Sequence, residues 1–157
     1  TLTSDMHVVA GIDHRESSIA AAIVVVQRAS YAVEARLIGF DGIPPLHERV
    51  EDVMALDLTI LAVIEHGQPL AILGYSREGD SVDIDRLAVH PDHFRRGFAR
   101  RLIETLHERE SDATRFDAST GRDNAPARAL YRRMGYRDLE DVALPEGVVI
   151  TRFVRET

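Results

Sequence analysis

The order of apolar segments predicts an α+β domain of three layers, a mixed sheet with helices on both faces. Three observations carry this expectation. Helical and strand-like runs follow one another as helices, three strands, helix, strand, helix, two strands. The clearest strand, Val82 to Val89, feeds through a basic, glycine-containing turn into the clearest helix. The chain is 157 residues long and 45% hydrophobic, enough for one domain over 1–157 with a core that needs no staples.

Taken in order, Met6 to Ile12 can form a first strand. From about Glu16 the residues Ile19, Ala22, Ile23 and Val26 fall at helical spacing, although Val24 to Val26 are β-branched. The pattern runs through Tyr31, Val33 and Leu37 and stops at Gly39. Asp41 to Pro45 is a turn, and Leu46, Val50 and Val53 suggest a short helix. Leu58 to Ile64 and Leu70 to Tyr75 read as strands joined by His66-Gly67-Gln68-Pro69, with Arg77 to Asp80 turning the chain into Val82 to Val89. Ala99, Leu102, Ile103 and Leu106 then form one apolar helix face. Thr114 to Ser119 is a strand, Asn124 to Gly135 a capped helix with Pro126 in its first turn, and Tyr136 onward a hairpin turning at Leu144 to Gly147.

Composition narrows the function classes. Cysteine is absent, which excludes disulfides, thiolate metal sites and cysteine nucleophiles. The seven histidines show no metal-ligand spacing. A net charge of −7 argues against nucleic acid held through the whole surface, and the run Ile19 to Val26 is too short to span a membrane, so a cytoplasmic protein is expected. The nineteen basic residues are all arginine and crowd the second half, whereas Asp41 to Asp85 is mostly acidic. That split suits an anionic cofactor beside a cationic acceptor, and it also suits ordinary solvated faces.

The strand-to-helix turn is the chemical centre. A helix start carries unpaired amide hydrogens and partial positive charge. Gly97 lets a bound group approach, Ala99 keeps the next turn slim, and Arg95, Arg96, Arg100 and Arg101 add charge suited to pyrophosphate. A plain connection with solvated arginines would be spelled the same way. In the strand, apolar positions change parity between Val82 and Ile84 on one side and Leu87 and Val89 on the other, which a bulge near Asp85 or Arg86 would explain. A bulge frees backbone groups for an extended ligand.

Taken together, Arg96-Gly97-Phe98-Ala99 and the run Asn124-Ala125-Pro126-Ala127-Arg128-Ala129-Leu130-Tyr131-Arg132-Arg133-Met134-Gly135-Tyr136 resemble the GCN5-related N-acetyltransferase (GNAT) superfamily. The resemblance covers nearly the whole chain. One position departs from it: Phe94 stands where the cofactor signature has Arg or Gln. The resemblance implies a mostly antiparallel central sheet with a bulged central strand, and acetyl-CoA as donor. It further implies pyrophosphate on the amides of Arg95, Arg96, Gly97, Phe98, Ala99 and Arg100, and pantetheine along Leu87, Ala88 and Val89 with Asn124 beside it.

Acyl transfer to an amine needs a base, a stabiliser of the carbonyl oxygen and an acid for the departing thiolate. Tyr131 is the candidate acid, with a core aromatic as the alternative. The Val89 amide is the candidate for the oxygen, and Asp83 or Asp85 for the base unless both are merely solvated. Glu34, His47 and Glu48 are candidates for holding a cationic acceptor, a small-molecule or peptide amine, with plain surface charge as their alternative. The reading is an acetyl-CoA-dependent N-acetyltransferase acting by direct attack, with homodimerisation possible and neither nucleic acid nor membrane as partner. Its rival is a non-catalytic acyl-CoA sensor on the same fold.

Overall fold

The computed structural model describes residues 7–157. Met6, expected at the start of the first strand, lies outside them. The elements are β1 (His7–Ile12), α1 (Ser17–Ile38), α2 (Pro44–His47), α3 (Val50–Met54), β2 (Thr59–Glu65), β3 (Gln68–Glu78), β4 (Ser81–Val89), α4 (Phe98–Arg109), β5 (Arg115–Gly121), α5 (Ala125–Arg133), β6 (Arg137–Ala143) and β7 (Val149–Glu156). The seven strands form one sheet in the order β1-β2-β3-β4-β5-β7-β6. Every pairing is antiparallel except β4 with β5.

Two departures from a regular sheet build the site. Gly74 of β3 faces Arg86 and Tyr75 faces Ile84, so Asp85 is the extra residue of a bulge where the change of parity predicted one. The bulge keeps Val82, Ile84, Leu87 and Val89 on the face covered by α4, while Arg86 and Ala88 turn toward α1. The second departure is between β4 and β5, which pair only from Ser81 to Asp83 against Arg115 to Asp117. Beyond that point β5 continues along β7, and β4 runs on to Val89 paired with β3 alone. A gap opens in the middle of the sheet.

Each face has its own core. Leu61, Val63, Leu73, Phe116 and Phe153 pack under Leu102, Ile103 and Leu106 of α4, and Ile60, Ala62 and Ile72 pack under Ala20, Ile23 and Val26 of α1. Burial of these apolar side chains, worth ~1.5–3 kcal/mol each, overrides the weak helix propensity of Val24 to Val26. The run Ile19 to Val26, expected to be short for a membrane, belongs to a 22-residue helix of mean hydropathy 1.2, long and apolar enough to cross one. In this fold it lies along the sheet and buries Ala20, Ile23, Val24, Val26, Gln27 and Tyr31.

Three local expectations are corrected. The first hairpin turns on His66 and Gly67 alone, both left-handed, and Gln68 and Pro69 already belong to β3. β3 likewise extends to Glu78. Phe98, not Ala99, opens the buried face of α4, because the left-handed turn at Gly97 rotates the helix start toward β1. There the Phe98 ring meets the rings of His7 and His93 and the guanidinium of Arg96 at 4.8 Å.

A half-buried histidine ties α4 to the far strands. His107 takes a hydrogen bond from Arg155 at Nδ1, which leaves Nε2 as the donor to the Tyr136 hydroxyl at 2.8 Å. Burial and then the Arg155 charge push its pKa down from 6.5 to about 4. The unfolded chain therefore binds this proton more tightly, and stability should fall as pH drops from about 6.5 toward about 4. With solvent screening of a half-buried ring the loss should be about 1–2 kcal/mol, or ~2–8 °C in Tm. Melts at both pH values should show a flatter pH response in His107→Gln than in the wild type.

Candidate active site

At one end of the gap, Gly97 (φ 75°) is the N-cap of α4 and offers no side-chain cap, so the first amides of the helix lack an internal acceptor. Arg95 is left-handed as well (φ 66°). A Cβ built on Gly97 meets nothing within 4 Å. This is open space lined by amide hydrogens, which fits a pyrophosphate. Of the expected arginines, Arg96 is drawn aside to His93 (2.8 Å) and His7 (2.9 Å), and Arg100 pairs with Glu104 at 3.5 Å. Arg95 is exposed and makes no ion pair among the described residues. Phe98 is buried, which leaves its amide alone for binding, and Ala99 is half-buried behind it.

The free edge of β4 carries the backbone groups of Leu87 and Val89. Successive amides point to opposite edges, so Ala88, expected among the binding residues, directs its own amide into the pairing with β3. The two outward amides have partners on α1: Leu87 donates to the Tyr31 hydroxyl (3.1 Å) and Val89 to Ser30 Oγ (3.2 Å). Sequence reasoning missed both. Tyr31 reads as one more apolar position of the helix, and nothing local marks a hydroxyl that reaches a strand 56 residues away.

Tyr131 of α5 stands beside the gap, 4% exposed, with its ring against Tyr136 and Phe153. Its hydroxyl has no hydrogen-bond partner among the described residues. Burial raises its pKa, and the nearby Tyr31, Tyr136, Glu34 and Asp83 raise it further. The phenol holds its proton firmly. Asp83 is exposed and sits opposite Asp117 of β5. Desolvation and then Asp85 and Asp117 raise its pKa against the opposing charge of Arg152, which strengthens it as a base. Asp85 is engaged by Arg86 Nε at 2.8 Å, and Asp117 takes both guanidinium arms of Arg115.

The acceptor-side candidates are more tied down than their spelling suggested. Glu48 grips Arg86 with both oxygens, at 2.5 and 3.1 Å, and accepts from Gln27 at 2.9 Å. Glu34 Oε1 accepts from Thr120 (2.9 Å) and from Asn124 Nδ2 (3.0 Å), while Asn124 Oδ1 caps α5 at the Ala127 amide. Both ends of Asn124 are thus engaged. His47 is on the surface, its Nε2 against the Asp41 carbonyl at 2.5 Å.

A sheet parted beside an amide-lined helix start, with the buried Tyr131 phenol packed against the same core, is an arrangement that can take an extended, anionic ligand. The acetyltransferase (GNAT) domain family matches residues 57–138, and the chain belongs to that family. It is 34% identical over 142 residues to the UPF0157 protein YqkA of Bacillus subtilis (strain 168), a match that takes in 90% of this chain and 41% of the relative, so the chain spans less than half of it. The ribosomal-protein-S18-alanine N-acetyltransferase of Escherichia coli superposes with a TM-score of 0.75 at 16% identity, over 96% of this chain and 94% of that one. The PaiA N-acetyltransferase of Thermoplasma acidophilum, solved in complex with coenzyme A, superposes with a TM-score of 0.74 at 10% identity, over 96% and 99%. At these identities the likeness is one of fold.

Proposed function

We propose that this domain transfers an acetyl group from acetyl-CoA to a primary amine by direct attack, without a covalent enzyme intermediate. The observation that carries the reading is the parting of β4 from β5 beyond Asp83, which leaves an open strand edge between the free amides of α4 and the Tyr131 phenol. When bound there, acetyl-CoA supplies the activated thioester carbonyl. The amides from Arg95 to Arg100 hold the pyrophosphate, and the edge of Leu87 and Val89 with Asn124 lines the pantetheine path. Holding both reactants in line supplies up to ~7–11 kcal/mol, so the side-chain chemistry is modest.

Asp83 receives the amine proton, directly or through water. Tyr131 faces the departing sulfur. Its raised pKa keeps it protonated and also makes complete transfer to a thiolate uphill, so its main contribution is a hydrogen bond to the developing negative charge. Tyr131→Phe should lower kcat about 10-fold or more with little change in CoA affinity. Unchanged turnover removes Tyr131 from the mechanism.

The test of the reading is free-thiol release from acetyl-CoA across a panel of amines and short peptides; a chain without cysteine adds no thiol background. Amine-dependent release is expected. Tight CoA binding without release for any amine would favour the sensor instead. Acceptor identity, a cytoplasmic location and a homodimer are expectations that the same panel, localisation of the full-length protein and sedimentation would address.

A further inference from the structure

The chain has four tyrosines, which differ in where their hydroxyls are anchored. Tyr75 donates its hydroxyl proton to Glu110 at 3.0 Å, and the Tyr136 hydroxyl accepts from His107 Nε2 of α4 at 2.8 Å. Tyr31 and Tyr131, 8% and 4% exposed, donate to no acceptor among the described residues. Tyr31 only accepts, from the Leu87 amide, and Ser30 likewise only accepts, from Val89. Hydroxyl protons without a protein acceptor, on the buried Tyr31 and on the partly accessible Tyr131 and Ser30, call for a specific explanation. Here they cluster. Tyr31 and Ser30 are anchored to the same open edge of β4, and Tyr31 is the neighbour whose charge weighs most on Tyr131. The open edge of β4 is thus bordered by hydroxyl donors.

This inference rests on the acetyl-transfer reading, which brings a thioester carbonyl oxygen into the gap. We propose that Tyr31 is a second catalytic phenol, donating a hydrogen bond to that oxygen while the Leu87 amide holds the hydroxyl in place. As the amine nitrogen bonds to the carbonyl carbon, the carbonyl electron pair moves onto oxygen. When the bond to sulfur breaks, the pair returns and the thiolate leaves. Tyr31 keeps its proton throughout. Burial, reinforced by Glu34, raises its pKa and keeps it a neutral donor at any working pH. The arrangement also accounts for the Val89 amide, which donates to Ser30 and would otherwise have to be released to reach the oxygen directly.

The experiment follows the carbonyl carbon of [1-13C]acetyl-CoA bound without any amine, alongside CoA affinity by calorimetry and turnover. In the wild type the bound resonance should lie downfield of free acetyl-CoA. Tyr31→Phe should return it toward the free position and lower kcat about 10- to 100-fold, with CoA affinity changed less than about threefold. Tyr131→Phe should keep the shift while losing turnover. An unshifted resonance in the wild type, or equal shift and turnover in Tyr31→Phe, overturns the assignment. An unshifted wild-type resonance overturns the assignment even if the variant does not fold. Acetyl-CoA bound with an unshifted carbonyl sinks only Tyr31, whereas no binding of acetyl-CoA sinks the acetyl-transfer reading with it.

Discussion

Replacing Gly97 by glutamate is expected to abolish CoA binding while leaving the domain folded. The two effects separate because nothing lies within 4 Å of a Cβ at this position, so the side chain enters open space instead of the core. The folding penalty is then mainly that of an L-residue at φ 75°, about 1–2 kcal/mol. The binding penalty is larger. A carboxylate among the first amides of α4 takes the donors a pyrophosphate needs and repels its charge, by about 4 kcal/mol per unit pair at ~4 Å and an effective dielectric of ~20. That is on the order of a thousandfold in affinity. Calorimetric titration with CoA measures it, and Gly97→Ala, which shares the backbone strain without the charge, should bind far more tightly than the glutamate variant. Wild-type affinity in Gly97→Glu would remove the turn from the cofactor site.

Glu48→Ala should destabilise the domain by about 3–5 kcal/mol, the usual result of stranding one member of a buried ion pair. Arg86 is 6% exposed and rests on both Glu48 oxygens, with a single further bond to Asp85 and a long one to Gln27. Gln27 fastens the same carboxylate and also the Pro45 carbonyl, so the network joins α1, the α2–α3 loop and the β4 bulge. Urea melts give the loss directly. Replacing both partners, Arg86→Met with Glu48→Leu, should recover most of it, since an apolar pair needs no compensation for buried charge. A Glu48→Ala loss below about 1 kcal/mol would mean that water reaches the pair and that Glu48 is free to bind a cationic acceptor.

The Glu48–Arg86 pair is written in no single stretch of the chain. Glu48 and Arg86 are 38 residues apart, and their contact depends on Gly74, the residue opposite Arg86 in β3, where an added Cβ would lie 3.0 Å from Arg86 Cγ. No local pattern encodes such a meeting. The bulge at Asp85, by contrast, is written in the parity of Val82, Ile84, Leu87 and Val89, because side chains alternate along any strand. The Asn124 cap is equally local, an asparagine three residues before the amide it accepts.

The sequence by itself determined the order of elements, the bulged strand, the glycine turn into α4 and the capped helix carrying Tyr131. Each follows from backbone sterics and apolar spacing within a few residues. Only the tertiary structure decided which polar groups remain available. It enclosed Arg86 with Glu48, linked Glu34 to Asn124 and Thr120, and set Ser30 and Tyr31 against the free edge of β4. Those outcomes depend on which groups lose water together when the sheet and α1 close, and hydrogen-bond partners across such distances are chosen by packing.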